Sequence, residues 1–278
     1  MKIWYQAMAR ENAWGAYHAS VNAHLNRIKS PGTEIEVHGL TRWGGVADQF
    51  SYLEYVGGVE VLDNVQTAMR RGFDAFVIGN IADPALREAR EIADIPVLGL
   101  CESTCHVACL MGGNFAFVTL NEKFIPRVVD NVDRYGLRSR FVGTRPMKLD
   151  RILNLKAGFS DPQAAKVICD EFLAAAEALV ADGAEVVIAA GGVGMALLEK
   201  EGIHEVRPGV PVLNGQTALL TLAEAAVRIG RATGGVFTSK RLRYAPPSPN
   251  QIDEIRKYCG DVYPSVKSPS DAGSPPVS

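Results

Sequence analysis

GFDAFVIGNIADP at residues 72–84 and GAEVVIAAGGVGM at residues 183–195 decide the fold. Each has an acidic residue two places after its opening Gly. Each then runs into a short apolar block, Ala75-Phe76-Val77-Ile78 or Val186-Val187-Ile188-Ala189, and breaks into a loop of small residues. A second apolar block follows each about twenty residues later: Ile95-Pro96-Val97-Leu98 and Val210-Pro211-Val212-Leu213. Short apolar runs bounded by Gly and Pro read as buried strands. With helical stretches between them they give the βαβ rhythm of a parallel sheet. The echo lies 111 residues on from Gly72 to Gly183 and 115 from Ile95 to Val210. A repeat of this size predicts duplication of a whole α/β unit.

The rest of the chain extends both copies. The sequence predicts strands over 2–6 and 34–40 with a helix over 16–28 between them, then a helix over 59–71 leading to the strand at 74–79. Asp83-Pro84 opens a helix over 85–93, Pro being tolerated in a first turn. A strand at 95–100 and a helix from Glu102 to Met111 follow, ended by Gly112-Gly113. The second copy has strands at 115–120, 140–142, 185–190 and 210–213, with helices over 125–135, 161–181, 196–201 and 217–229. The stretch 41–58 fits neither pattern, because aromatics alternate with glycines. It reads as a mobile loop that closes over a pocket, or as an irregular segment at a subunit contact. Residues 237–244 are expected to pack back on the first lobe and 251–258 to form a short helix. The Ser/Pro/Gly-rich end from 265 is expected to be disordered. The fold class is therefore α/β with two facing pseudo-symmetric lobes, each a mostly parallel sheet flanked by helices. Lobe 1 is assigned to 1–114 plus 215–247 and lobe 2 to 115–214. A C-terminal extension covers 248–264 and a tail 265–278.

Composition narrows the function. The 278 residues are 47% hydrophobic, with a net charge of −2 and a pI near 6.2. That balance points to neither nucleic acid nor an anionic membrane, and the short basic run 240–243 reads as a surface patch. The beginning, MKIWYQAMAR, has no signal-peptide character, so a cytoplasmic protein is expected. Five cysteines, an odd number, argue against a disulfide framework. Cys101, Cys105 and Cys109 recur every four residues, which suits small buried residues on one helix stripe better than zinc ligands. No metal site is expected. Gly191-Gly192-Val193-Gly194 has the wrong spacing for a dinucleotide fingerprint, so no cofactor is expected either.

In an open parallel sheet the ligand lies beyond the carboxyl ends of the strands. That rule selects Asn80, Ile81, Thr119, Gly192, Val193, Asn214 and Gln216, a set rich in hydrogen-bond donors and in backbone that a ligand can approach. Arg42 suits a carboxylate and Tyr52 an oxyanion. Lys123 and Tyr5 are weaker candidates of the same two kinds. For proton transfer the candidates are Glu102, at a helix start, His106 one turn later, and His18 near the cleft mouth.

These stretches resemble the Asp/Glu racemase superfamily and, within it, the hydantoin-racemase-like group. The carriers are GFDAFVIGNIADPALREAREIADIPVLGL, Glu102 and His106 ahead of Leu110-Met111-Gly112-Gly113-Asn114-Phe115, residues 184–195, residues 210–213, and Thr238-Ser239-Lys240. The resemblance spans roughly 1–247. It implies two facing lobes and a cysteine from each, one thiolate removing a proton next to a carbonyl and the other thiol returning it on the opposite face. An arylmalonate-decarboxylase-like branch keeps only the second. Here Asn80 and Gly192 stand at the two positions, and Ala7-Met8-Ala9 replaces an Asn-Pro-Asn-like motif.

Asn is not a base near neutral pH and Gly has no side chain. The sequence therefore predicts a cysteine-independent enzyme of this fold. Its substrate would be a small carboxylate, imide or cyclic amide, handled through an enolate or oxyanion in the inter-lobe cleft. Isomerase, decarboxylase or other lyase, and ring-opening hydrolase chemistry are the options, with Asn80 holding the anion and Glu102 or His106 moving protons. A non-catalytic ligand-binding protein and a racemase with a non-cysteine acid/base pair are the alternatives. A homo-oligomer is expected.

Overall fold

The computed structural model describes residues 1–44, 50–149, 154–260 and 263–264. The chain forms β1 (Lys2–Arg10), α1 (Gly15–Ile28), β2 (Glu34–Leu40), α2 (Ser51–Arg70), β3 (Ala75–Ile78), α3 (Leu86–Ile92), β4 (Val97–Gly99) and α4 (Leu100–Met111). The second copy follows as β5 (Phe115–Thr119), α5 (Ile125–Arg134), β6 (Phe141–Pro146), α6 (Asn154–Ala157), α7 (Pro162–Ala181), β7 (Val186–Ala190), α8 (Gly192–Lys200), β8 (Glu205–Arg207), β9 (Val210–Leu213) and α9 (Gly215–Ala232). A last helix, α10, spans Pro249–Cys259.

The duplication shows in the strand order. One sheet runs β2-β1-β3-β4, all parallel. The other runs β6-β5-β7-β9 in the equivalent order, also parallel, with β8 added antiparallel at the edge. The central strands β3, β5 and β7 are buried along their whole length. Helices cover both faces, which is why their sequences run apolar instead of alternating.

The two halves exchange helices. α4 and α9, equivalent in the repeat, pack on each other, and each also reaches the other half's sheet: α4 touches β5 and β7, and α9 touches β3 and β4. Gly215, at the start of α9, has no room for a Cβ because Thr104 Oγ1 of α4 lies in that space. One apolar core runs through both halves, and a second lies between the first sheet and α2 with α3, around Trp4, Phe76, Val61 and Val65.

Several boundaries differ from the sequence reading. The expected loop 41–58 is helical from Ser51 onward, while residues 45–49 lie outside the described set. Its glycines at 57 and 58 sit inside α2, where they allow close contact: a Cβ on Gly57 would meet Met8 Cε at 2.9 Å, and one on Gly58 would meet Ala85 Cβ at 3.5 Å. Arg127 of α5 pairs with Glu54 across the gap at 2.9 Å and holds this first turn. α8 begins four residues before the expected 196, because a glycine-rich start does not prevent a buried helical turn. Residues 237–244 do return to the first half, where Lys240 Nζ donates to the carbonyls of Arg90, Glu91 and Ala93 at the end of α3. The expected tail 265–278 lies outside the described residues.

One polar tie joins α9 to the turn between α1 and β2. The buried Glu224 carboxylate accepts from Ser30 N (2.8 Å), Ser30 Oγ (2.5 Å) and Thr33 Oγ1 (2.7 Å). These bonds hold its pKa below the ordinary value although burial opposes them. Glu224→Ala leaves three donors without an acceptor and should cost about 1–3 kcal/mol. Because the pKa is depressed on folding, the wild-type advantage should shrink as pH falls below about 4.5. Urea unfolding of both proteins at pH 7 and pH 4 checks this.

Candidate functional site

The carboxyl ends of the central strands of both sheets converge on a narrow cavity of about 40 Å³. Met8 and Ala9 come from the end of β1, Gly79, Asn80 and Ile81 from the loop after β3, Leu120 from after β5, and Gly191, Gly192 and Val193 from after β7. Trp14 and Tyr17 from the start of α1, with Phe124 and Leu155, complete the lining. No side chain among these is charged at neutral pH.

The floor is packed tightly around glycine. A Cβ on Gly79 would run into the ring and hydroxyl of Tyr5. A Cβ on Gly192 would meet Gly79 O at 3.0 Å and Tyr17 Oη at 3.1 Å. The fully buried Gln216 donates Nε2 to Gly192 O at 2.9 Å, which fixes its amide orientation, while its Oε1 has no partner. The Tyr5 hydroxyl is also buried without a hydrogen bond of ordinary geometry, although Tyr17 and Gln216 are its neighbours. Burial pushes the Tyr5 pKa well above that of a free phenol.

The loop carrying Asn80 is held in a strained shape. Asn80 Oδ1 accepts from Ala82 N (2.9 Å), and Asp83 N donates to Asn80 O (3.1 Å). Asp83 (φ 49°) and Ala85 (φ 56°) both adopt the left-handed region, which disfavours residues with a Cβ. Asp83 compensates by placing its buried carboxylate on the amino end of α4, accepting from Cys101 N and Glu102 N, each at 2.9 Å. Tyr135 Oη, just after α5, donates to the same group at 2.5 Å. Asn131 of α5 donates to the Ile81 and Ala82 carbonyls at 3.1 Å each. Thus the first half's loop is fastened partly by a helix of the second.

The sequence candidates separate. Asn80, Ile81, Gly192 and Val193 are brought together on the cavity. Gln216 lies directly behind Gly192. Thr119 is buried at the end of β5, one residue before Leu120, and its Oγ1 has no partner. Asn214 caps α9, accepting from Gln216 N (2.9 Å) and Thr217 N (3.4 Å), with Nδ2 on Glu199 at 3.2 Å. Glu102 and His106 do not line the cavity. They line a separate groove of about 550 Å³ with Arg134, Tyr135 and Arg243, and Asp83 borders this groove too. Glu102 is held there in a bidentate pair with Arg90. Arg42 pairs with Asp63 of α2, and Tyr52 stands 72% exposed on that helix. Lys123 lies 5.1 Å over the Phe50 ring. His18 is stacked at a tilt on Tyr17 outside the lining, and burial lowers its pKa. None of the five cysteines lines the cavity, and Cys101 and Cys105 face each other in the core with sulfurs 3.9 Å apart. Tyr17 was not singled out from sequence, because it sits at an apolar position of an amphipathic helix. The available signal was its place one turn after Trp14, just beyond the carboxyl end of β1.

Comparison with known proteins agrees with this fold. The family described as Asp/Glu/Hydantoin racemase matches residues 16–223. The chain belongs to that family. It is 32% identical over 204 residues to a hydantoin racemase of Pseudomonas sp. (strain NS671), covering 72% of this chain and 76% of the relative. It is 33% identical over 178 residues to a hydantoin racemase of Rhizobium meliloti, covering 64% and 70%. Among solved structures, an allantoin racemase from Pseudomonas fluorescens superposes with a TM-score of 0.73 at 28% identity, covering 90% of this chain and 98% of that one. The relatives are enzymes of the isomerase type, and the two-lobed α/β fold is the one they share.

Asp83 gives a pH-dependent test of the loop. Burial raises its pKa to about 7, with the three donors pulling the other way. The folded protein therefore holds this proton up to a higher pH than the unfolded chain does. Its contribution to stability is largest below about pH 4 and declines as pH rises towards 7. Asp83→Asn cannot accept all three bonds and should cost about 1–3 kcal/mol at pH 5. The remaining stability should decline less between pH 5 and pH 8 than in the wild type. Urea unfolding across that range measures both effects.

Proposed function

We propose that this protein is an isomerase-type enzyme acting on a small, neutral cyclic amide or imide of the hydantoin class. The ring would bind between the two halves, and the carbon next to a ring carbonyl would be the reacting atom. No thiol would take part. The observation that carries the reading is the cavity lining, which holds no charged side chain. A dicarboxylate would lose its hydration there and gain no counter-charge, which is expensive. A neutral ring loses little, and Trp14, Ile81, Leu120, Phe124 and Leu155 suit an apolar substituent.

Charge that develops during reaction is favoured by the same architecture. The lining includes the first turn of α8, whose first backbone N–H groups have no partner within the helix and carry its positive dipole end. An enolate oxygen placed at Gly192 and Val193 would gain from these amides only as it becomes negative, which is the condition for lowering a barrier. Asn80 supplies an amide on the opposite copy of the repeat. The relatives' names, hydantoin racemase and allantoin racemase, support the same substrate class.

A thermal-shift comparison tests the reading. Both enantiomers of 5-benzylhydantoin and 5-isopropylhydantoin should raise the unfolding temperature, and glutamate, aspartate and phenylmalonate should not. A ligand at 100 times its dissociation constant adds about 2.7 kcal/mol, well within detection. The reverse pattern would overturn the proposal. Hydantoins that bind but show neither exchange of the ring hydrogen in heavy water nor any product would leave a binding protein in its place.

A further inference from the structure

The groove outside the loop after β3 carries unmatched positive charge. It has a volume of about 550 Å³ and is lined by α3, the end of α5 and the turn Leu242–Tyr244, among others. Four arginines face it: Arg87 and Arg90 of α3, Arg134 of α5, and Arg243. Arg90 is neutralised by Glu102, and Glu54 by Arg127. Arg87, Arg134 and Arg243 have no carboxylate partner among the described residues. Of the acids on the groove, Glu88 alone is neither paired nor buried. Three guanidiniums brought from separate elements to one concave surface repel one another, and an anion among them turns that repulsion into attraction.

The position of Arg243 is enforced by the backbone. Lys240 Nζ ties the preceding residues to three carbonyls at the end of α3. Leu242 then takes φ 58°, where a residue with a Cβ is strained. Its side chain is 81% exposed, so core packing does not account for the strain. This turn is what sets Arg243 and Tyr244 on the groove.

The shape of the charge favours phosphate over carboxylate. A carboxylate has two oxygens in one plane, enough for one guanidinium fork, whereas a phosphate group points three terminal oxygens in three directions. The groove is also far larger than a phosphate group alone would fill. We propose that it binds the phosphate of a small phosphorylated molecule through Arg87, Arg134 and Arg243, and that its occupancy tightens the loop carrying Asn80 and Ile81. Asp83 is the link, since its carboxylate borders the groove and its backbone belongs to the loop. Tyr135, next to Arg134, donates to that carboxylate, and Arg87 lies two residues beyond the left-handed Ala85. Asn131 of α5 already holds the Ile81 and Ala82 carbonyls. A phosphate joining α3 to α5 therefore ties together the two helices that hold the loop. This site is separate from the cavity and does not depend on the cyclic-amide reading.

The test titrates pyrophosphate into the intact protein by calorimetry, with ionic strength held constant by sodium chloride and malonate as the comparison anion. Pyrophosphate should bind at one saturable site and malonate should not. Arg134 and Arg243 are exposed and unpaired, so Arg134→Ala and Arg243→Ala should fold as the wild type does. Each should weaken binding by about tenfold or more, as expected for a lost charge-assisted contact. Arg145→Ala, on β6 of the second half, should bind as the wild type does. Hydrogen exchange of the backbone amides over residues 79–86 should slow with pyrophosphate bound to the wild type, and not in Arg134→Ala at the same concentration. Absent binding, equal binding by the wild type and all three variants, or equal binding of malonate would overturn the site. Arginine-dependent binding with unchanged exchange would overturn the link to the loop.

Discussion

The Asp83 carboxylate seated on the amino end of α4 is the interaction on which the site depends. The loop after β3 must turn sharply to bring Asn80 and Ile81 to the cavity, and it does so through two left-handed residues that are not glycine. Such a turn is unfavourable by about 1–3 kcal/mol per residue and persists only when its surroundings over-determine it. Asp83 supplies that determination with three hydrogen bonds, two to the helix and one from Tyr135. Gly99 is part of the same fit, since a Cβ there would lie 2.5 Å from the carboxylate carbon. The helix gains a cap it otherwise lacks, because Gly99 at its N-cap has no side chain to offer.

The same group links the two copies of the repeat. Tyr135 and Asn131 belong to the second half, yet their partners are Asp83, Ile81 and Ala82 of the first. The exchange of α4 and α9 works in the same direction, each helix covering parts of both sheets. Elsewhere, His24 and Arg27 of α1 meet Glu199 of α8, and His24 Nε2 lies 2.9 Å from Thr217 Oγ1 of α9. Polar ties between halves thus hold both the loop after β3 and the α1–α8 contact, each of which contributes residues to the cavity.

The fold was legible because duplication leaves a mark that periodicity alone does not. The Gly-plus-acid openings, the four-residue apolar blocks and the offset of just over a hundred residues all point to one unit used twice. The strand-end rule likewise led to Asn80, Ile81, Gly192 and Val193, since position at a carboxyl end is set by topology. What topology does not set is the direction of a side chain on the following helix. Glu102 sits two residues beyond a strand, but Asp83 takes the α4 amino end and Arg90 takes the Glu102 carboxylate, so it faces the outer groove. The stretch 41–58 failed for a related reason. Gly57 and Gly58 resemble loop residues in sequence, and only the approach of Met8 and Ala85 explains them inside a helix.

Tyr17 and Gly192 show why a lost side chain is hard to read one position at a time. Gly at 192 alone signals a vacated function, and Tyr at 17 alone signals a packed helix face. They acquire meaning as a pair, because the Tyr17 hydroxyl of α1 lies 3.1 Å from where a Cβ on Gly192 of α8 would be. α1 belongs to the first copy and α8 to the second, so no local pattern in either segment records the contact. The electrostatics reinforce the pairing. No charged side chain lines the cavity, and Glu102, Glu199 and Arg42 are paired with Arg90, Arg27 and Asp63. In a space without fixed charge, an enolate feels little but the helix amides and the buried hydroxyl of Tyr5. The weaker the screening there, the more those few dipoles decide which anion is tolerated and where it sits.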